Sequence, residues 1–344
     1  MNMSLYSSQI LLFIFIVATI AIWVSGIKLT KAIDAITTHY NLSGAFGGMV
    51  FLAVVTNLPE IAITAVAAYN RNYDIAISNL LGGIAIQTVV LVLIDIFGVG
   101  RSAPLTLKGH SKILIIEGVS LIFILCIVII ANQFSNDILY FRTTPFEWII
   151  LLIWLGTILL IANLTKQRKK IIPTDDTAHL RMAKSRFKGT VREAFIVLSV
   201  GAIITLAAGW ALTVTGEILA NRWGMSGILF GATILALCTS LPEISTGIAS
   251  AKIRDYNMAV SDIFGGNAFL PVLFLMASVI SGEAILPNLK PSDVYLTLLG
   301  IILTGIYMIG MLIHSKRQIF RMGIDSLIVL LVYLVGLWGL IVLT

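Results

Sequence analysis

Ten apolar runs, each long enough to cross a bilayer, leave this chain few other folds. They cover about residues 9–27, 45–69, 73–97, 112–131, 146–164, 193–215, 226–250, 256–280, 293–313 and 325–343. A helix crosses the hydrocarbon core in about 20 residues. Ten spans therefore use most of the 344 positions and leave short loops. Composition agrees: 58% of residues are hydrophobic and 12% charged, against roughly 45–50% and about 25% in a soluble domain. A soluble enzyme is excluded, and the class expected is an all-α membrane protein.

The formal charge of +6 does not point to nucleic acid, because Lys and Arg sit in short loops between apolar runs rather than on one amphipathic face. Cys126 and Cys238 both lie inside apolar runs, so no disulfide framework is expected. No charged residue precedes Lys28, so the first run reads as a retained span rather than a secretory leader. The one long polar loop, 165–192, carries Lys166, Arg168, Lys169 and Lys170 and divides the chain into halves 1–164 and 193–344. With that loop in the cytoplasm, 19 of the 23 Lys and Arg fall on the inner side; Arg71, Arg142, Arg222 and Lys290 remain outside. Positively charged loops stay inside, so the N-terminus is expected outside the inner membrane. The loop itself is expected to lie near anionic lipid.

The halves repeat. Thr56-Asn57-Leu58-Pro59-Glu60-Ile61 returns as Thr239-Ser240-Leu241-Pro242-Glu243-Ile244, at an offset of 183. The same offset pairs Arg71 with Arg254, Tyr73 with Tyr256, Ser78 with Ser261, and Gly82-Gly83 with Gly265-Gly266. Five spans separate the copies, and five is odd, so the copies are expected to run through the membrane in opposite directions. Two inverted five-helix repeats with a site at their interface are a transporter architecture.

Glu60 and Glu243 lie well inside spans two and seven. A carboxylate at such depth costs at least about 2.5–3.5 kcal/mol and normally faces a cavity, an ion or a partner. Thr56 and Thr239 each stand four residues earlier, on the same helix face. Pro59 and Pro242 donate no backbone hydrogen bond, which frees the carbonyls of Val55 and Cys238. Carboxylate, hydroxyl and carbonyl oxygens suit a hard divalent cation such as Ca²⁺. His39, His110, His179 and His314 all read as loop or span-end residues, which disfavours a transition metal. Gln87 and Asn267 in spans three and eight are candidate amide-oxygen ligands or interhelical hydrogen bonders. The glycine pairs read chiefly as close helix packing. Asp262, which gives the second repeat an extra acid at the position of Asn79, is expected in water near the cytoplasmic end of span eight, with an added proton or cation site as the alternative. Asp95, Glu117, Glu147, Glu193, Glu217 and Asp325 are expected to be solvated at span ends.

These motifs resemble those of the calcium/cation antiporter family, the sodium/calcium exchanger superfamily, of prokaryotic type. The resemblance rests on Thr-Asn-Leu-Pro-Glu at 56–60, Thr-Ser-Leu-Pro-Glu at 239–243, and the glycine-led stretches at 82–87 and 265–270. It implies that Glu60 and Glu243 are the central Ca²⁺ ligands, helped by Thr56 and Thr239, with Asn57, Ser240, Gln87 and Asn267 in the surrounding set. It also implies that Na⁺ or H⁺ competes for the same groups during alternating access. This chain departs from the family pattern. Gly83 and Gly266 replace serines, Ile84 replaces an asparagine, Asn57 replaces a serine, and Gln87 and Leu270 stand at an Asn or Asp position. Two hydroxyls and one polar group of the monovalent sites are thereby lost, which brings proton coupling, or a main cation other than Ca²⁺, into consideration. A passive channel is a further alternative. No Gly-x-Ser-x-Gly or His-Glu-x-x-His motif supports a hydrolase. No resident cofactor, nucleic acid or obligate protein partner is expected; the partners are inorganic cations and membrane lipids.

Overall fold

The computed structural model describes residues 3–40, 46–100, 103–134, 142–171, 187 and 189–344. Most of the 165–192 loop, His179, Arg101 and the side chains of the Arg168–Lys170 run lie outside the described residues. The described chain is helical apart from one two-stranded hairpin, in which β1 (Gln318–Ile319) pairs antiparallel with β2 (Met322–Gly323).

The first half contains α1 (Ser8–His39), α2 (Phe46–Thr56), α3 (Leu58–Tyr69), α4 (Tyr73–Ile94), α5 (Lys112–Ala131) and α6 (Pro145–Ile171). The second contains α7 (Val191–Arg222), α8 (Gly227–Thr239), α9 (Leu241–Lys252), α10 (Tyr256–Ser281), α11 (Pro291–Ile313) and α12 (Ile324–Leu343). Among the described residues, eight helices are long and apolar enough to cross a membrane. The pairs α2–α3 and α8–α9 bring the number to ten if each counts as one span.

Those two pairs are where the structure departs from the continuous spans expected over 45–69 and 226–250. The chain bends by 65° between α2 and α3 and by 45° between α8 and α9. Each break is a single residue, Asn57 or Ser240, followed by a proline in the first turn of the next helix. Proline fits that turn because its missing N–H has no intrahelical partner there. Residues related by the 183 offset also share local structure beyond the breaks. Arg71 and Arg254 both take left-handed backbone, with φ of 57° and 67°. Asn72 then accepts from Ile75 N at 3.3 Å and Asp255 from Met258 N at 3.2 Å, capping α4 and α10 in the same way.

Packing repeats as well. A Cβ on Gly26 of α1 would stand 2.6 Å from Pro242, and one on Gly209 of α7 would stand 2.5 Å from Ala62 Cβ and 3.6 Å from the Pro59 carbonyl. The two bent pairs are therefore clasped from outside by α1 and α7, each through a glycine. Helix α4 is the most enclosed of the long helices. Phe13, Ile16 and Ile20 on α1 and Leu334, Val335 and Trp338 on α12 are exposed apolar groups, a surface that lipid covers without cost.

Three acids expected in water are buried instead: Asp95 is 0% exposed, Glu147 1% and Glu117 7%. Asp95 accepts from Leu105 N at 2.8 Å, Gly323 N at 2.7 Å and Ser326 Oγ at 2.8 Å. Glu147 accepts from Thr144 N and Ser278 Oγ. Each donor comes from a loop or another helix, so hydropathy along one span says nothing about it. Glu193 is exposed as expected, whereas Glu217 and Asp325 are half-buried. Asp262 is also half-buried rather than in open water, and its Oδ2 accepts from Thr246 Oγ1 at 3.0 Å.

Candidate functional site

The breaks at Asn57 and Ser240 put Glu60 and Glu243 in the first turns of α3 and α9. The N-terminus of a helix carries unsatisfied N–H groups and favours negative charge. The glutamates are 1% and 7% exposed, and they lie close enough to interact electrostatically with each other. The Thr239 side chain, from the opposite repeat, also interacts with the Glu60 carboxylate. One oxygen of each glutamate, Oε2 in both, is buried without a hydrogen-bond partner. Buried carboxylate oxygens without a partner require neutralisation, which a cation or a proton can supply.

The surrounding hydroxyls present their lone pairs. Thr56 Oγ1 donates to the Leu52 carbonyl at 3.0 Å, Thr239 Oγ1 to Ala236 O at 3.0 Å, and Ser240 Oγ to Ala236 O at 2.7 Å. Thr56 and Ser240 spend their hydrogen on the preceding turn, which leaves their oxygens as acceptors, whereas the Thr239 hydroxyl lies between Ala236 O and the Glu60 carboxylate. Asn57 Nδ2 donates to Ala53 O at 2.8 Å and approaches Thr56 Oγ1 at 3.4 Å.

Span three enters through Gln87, whose Nε2 donates to Glu60 Oε1 at 3.3 Å. Gln87 therefore orients the glutamate in this conformation rather than offering its oxygen. Asn267 Nδ2 bridges to α4, 3.3 Å from both Ile84 O and Thr88 Oγ1, while its Oδ1 is buried and unpartnered. The bridging amide fulfils the interhelical alternative and leaves an oxygen over. The departures from the family motif also become geometric here. A Cβ on Gly266 would stand 3.7 Å from Asn57 Oδ1 and 3.9 Å from Gln87 Oε1, whereas one on Gly83 would meet the Leu270 methyl at 3.5 Å. One glycine faces polar groups and its repeat mate faces a hydrocarbon.

The structure thus links Glu60 with Gln87, Thr239 and Glu243, and sets Asn57 and Gln87 on one side of Gly266, whereas Thr56 and Ser240 bond within their own helices and Asn267 bonds to α4. Sequence reasoning missed Thr246 of α9, which donates to Asp262 Oδ2; Asp262 of α10, the extra acid standing in place of Asn79 in the aligned repeat, adds negative charge near Glu243.

The profile of the family described as sodium/calcium exchanger protein matches residues 10–170 and 193–342, most of the chain. The chain belongs to that family. It is accordingly a multi-pass integral membrane protein and a transporter, not an enzyme. Among relatives of this exchanger, the inner membrane protein YrbG of Escherichia coli K12 is 27% identical over 271 residues, 78% of this chain and 79% of YrbG. The putative antiporter CaxA of Alkalimonas amylolytica is 25% identical over 260 residues, 75% of this chain and 76% of CaxA. The crystal structure of the H⁺/Ca²⁺ exchanger CAX superposes with a TM-score of 0.65 at 13% identity, over 96% of this chain and 88% of that one. That last likeness is one of fold.

Proposed function

We propose that this chain is a secondary active antiporter that exchanges Ca²⁺, or a similar hard cation, for Na⁺ or H⁺ by alternating access around Glu60 and Glu243. The observation that carries the reading is the pair of buried, unpartnered Oε2 atoms where the two broken helices meet. Two carboxylates balance one divalent ion, and the Thr56, Thr239, Asn57, Ser240 and Asn267 oxygens supply further ligands toward the six to eight that Ca²⁺ takes. A returning Na⁺ or proton neutralises the same carboxylates, so the two cargoes exclude one another. The family to which the chain belongs and the antiport named for CaxA support this reading.

In this reading the ten spans form two inverted five-helix repeats, 1–164 and 193–344, joined by the basic loop 165–192 in the cytoplasm. The protein lies in the inner membrane with its N-terminus outside. No resident cofactor and no protein partner are needed; inorganic cations and lipids suffice. The glycine contacts of α1 and α7 with the bent pairs suit rigid-body rocking of one group of helices against the other.

A second reading keeps the site and changes the counter-ion or the main cation. Gly83, Gly266 and Leu270 remove polar groups from the monovalent positions, and proton coupling needs only the glutamates. The decisive experiment is ⁴⁵Ca²⁺ uptake into proteoliposomes under an imposed Na⁺ gradient and, separately, under a pH gradient. Uptake driven by Na⁺ supports Na⁺/Ca²⁺ exchange, and uptake driven only by the pH gradient assigns the proton. Failure of both refutes Ca²⁺ as cargo.

A further inference from the structure

Glu117 on α5 is a buried acid that the exchange reading leaves without a role. It lies five residues inside its helix and is 7% exposed. Its Oε1 accepts from Ser261 Oγ of α10 at 2.7 Å, and its Oε2 is buried with no hydrogen-bond partner. Among the described residues it forms no ion pair. Asp262, next to Ser261, acts electrostatically on Glu117 from one side and on Glu243 from the other. A Cβ on Gly265, one turn beyond Ser261 on α10, would still lie 3.9 Å from Glu117 Oε1. The absent side chain thus leaves space beside the carboxylate.

This arrangement belongs to one repeat alone. Ser78 and Asn79, the mates of Ser261 and Asp262, do otherwise: the Ser78 hydroxyl donates to the Asp74 carbonyl, and neither amide atom of Asn79 has a partner. The feature is therefore not a by-product of the duplicated exchange site. An open cavity of about 590 Å³ is lined by Lys108, Ser111, Lys112, Ile113 and Asn257 among others. Ile113 and Asn257 each precede Glu117 and Ser261 by four residues, about 6 Å along their helices.

We infer that Glu117 and Ser261 form a second cation site, apart from the Glu60/Glu243 pair, that takes a monovalent hard cation of the sodium class. The ligand atoms are the unpartnered Glu117 Oε2 and the Ser261 hydroxyl oxygen, with Asp262 adding negative charge nearby. A single carboxylate balances one monovalent ion, as the two of the central pair balance one divalent ion. The rim points the same way: Lys108 and Lys112 line the neighbouring cavity, and a positive rim repels a divalent ion twice as strongly as a monovalent one. Lys108 is partly drawn aside, with its Nζ 3.5 Å from the Tyr256 hydroxyl. The site does not depend on which ion the central pair carries.

Equilibrium ²²Na⁺ binding to the purified full chain in detergent, at ionic strength held with choline chloride, tests this. The Glu60→Gln/Glu243→Gln variant is expected still to bind one Na⁺, and adding Glu117→Gln is expected to abolish that binding. Ser261→Ala in the same background keeps both carboxylates and is expected to raise the Kd about three- to tenfold. It carries the test if the Glu117 variant does not fold. No Na⁺ bound in the central-pair variant, or binding untouched by Glu117→Gln and Ser261→Ala, overturns the site. The exchange reading fails separately, through ⁴⁵Ca²⁺ binding that survives Glu60→Gln.

Discussion

Replacing Gly266 by serine adds one hydroxyl to the Glu60 cluster, and the structure says how much it should matter. The new Cβ meets Asn57 Oδ1 at 3.7 Å, Asn57 Nδ2 at 3.8 Å and Gln87 Oε1 at 3.9 Å. These are ordinary contacts, so the side chain enters without displacing a neighbour. Its oxygen lies one bond further out, within hydrogen-bonding range of those amides and beside the carboxylate that Gln87 holds. A hydrogen-bond-strength interaction with a charged group is worth about 1.5–3 kcal/mol. Taking the lower end, because the oxygen must still donate its hydrogen to an amide, the gain for a bound Na⁺ is about tenfold in affinity. Gly83→Ser, its repeat mate, places the hydroxyl against the Leu270 methyl at 3.5 Å. There it has no polar neighbour and bonds back to its own helix, so the expected change is under about twofold. Both substitutions improve helix propensity by a few tenths of a kcal/mol, so stability does not distinguish them. The assay is Na⁺ competition against ⁴⁵Ca²⁺ binding to the purified protein. The half-competing Na⁺ concentration should fall about tenfold for Gly266→Ser alone, and Gly83→Ser should gain only when combined with Leu270→Asn. Equal gains in the two single variants, or none in a well-folded Gly266→Ser, would refute the argument.

Three further outcomes follow from the same structure. Glu60→Gln removes one of two buried carboxylates whose free oxygen has no protein partner. Breaking a buried charge pair costs about 3–5 kcal/mol, so ⁴⁵Ca²⁺ affinity should fall at least a hundredfold; a loss under tenfold would remove Glu60 from the site. Asp95→Ala leaves the Leu105 and Gly323 amides and the Ser326 hydroxyl without their acceptor, at about 1–3 kcal/mol for each group that stays unsatisfied. The detergent-solubilised Tm should drop by several degrees while Ca²⁺ affinity of the folded protein is unchanged, and an unaltered Tm would show that water replaces the carboxylate freely. Gly209→Ala puts a Cβ 2.5 Å from that of Ala62, whereas Gly156→Ala meets nothing within 4 Å. Overpacking costs about 1–3 kcal/mol, so the first variant should unfold at lower temperature and transport more slowly, while the second should match or exceed the wild-type Tm.

Much of the molecule was legible in the sequence because the membrane simplifies the problem. Ten apolar runs mark where helices can lie, since hydrocarbon forces every backbone group to be satisfied within the segment. The internal repeat picked out Glu60 and Glu243 and their threonines, because chance similarity among apolar runs does not place Thr, Leu, Pro and Glu together twice. The helix breaks were half visible: the prolines signalled freed carbonyls, but the 65° and 45° bends depend on how α1 and α7 clasp the two pairs. The acids show the limit most clearly. Glu117, Glu147 and Asp95 stand near the ends of their apolar runs, where solvation was the simplest expectation. Their burial comes from Ser261, Ser278 and the Leu105, Gly323 and Ser326 groups, 10 to 231 residues away in the chain. Likewise, only the folded chain separates Gly266, facing amides, from Gly83, facing a methyl. The sequence by itself determined the spans, the duplication and the paired glutamates, all properties of local hydropathy and of residue identity. Tertiary structure alone decided which polar groups meet across helices, because a buried carboxylate is defined by its neighbours, and those neighbours are distant in sequence.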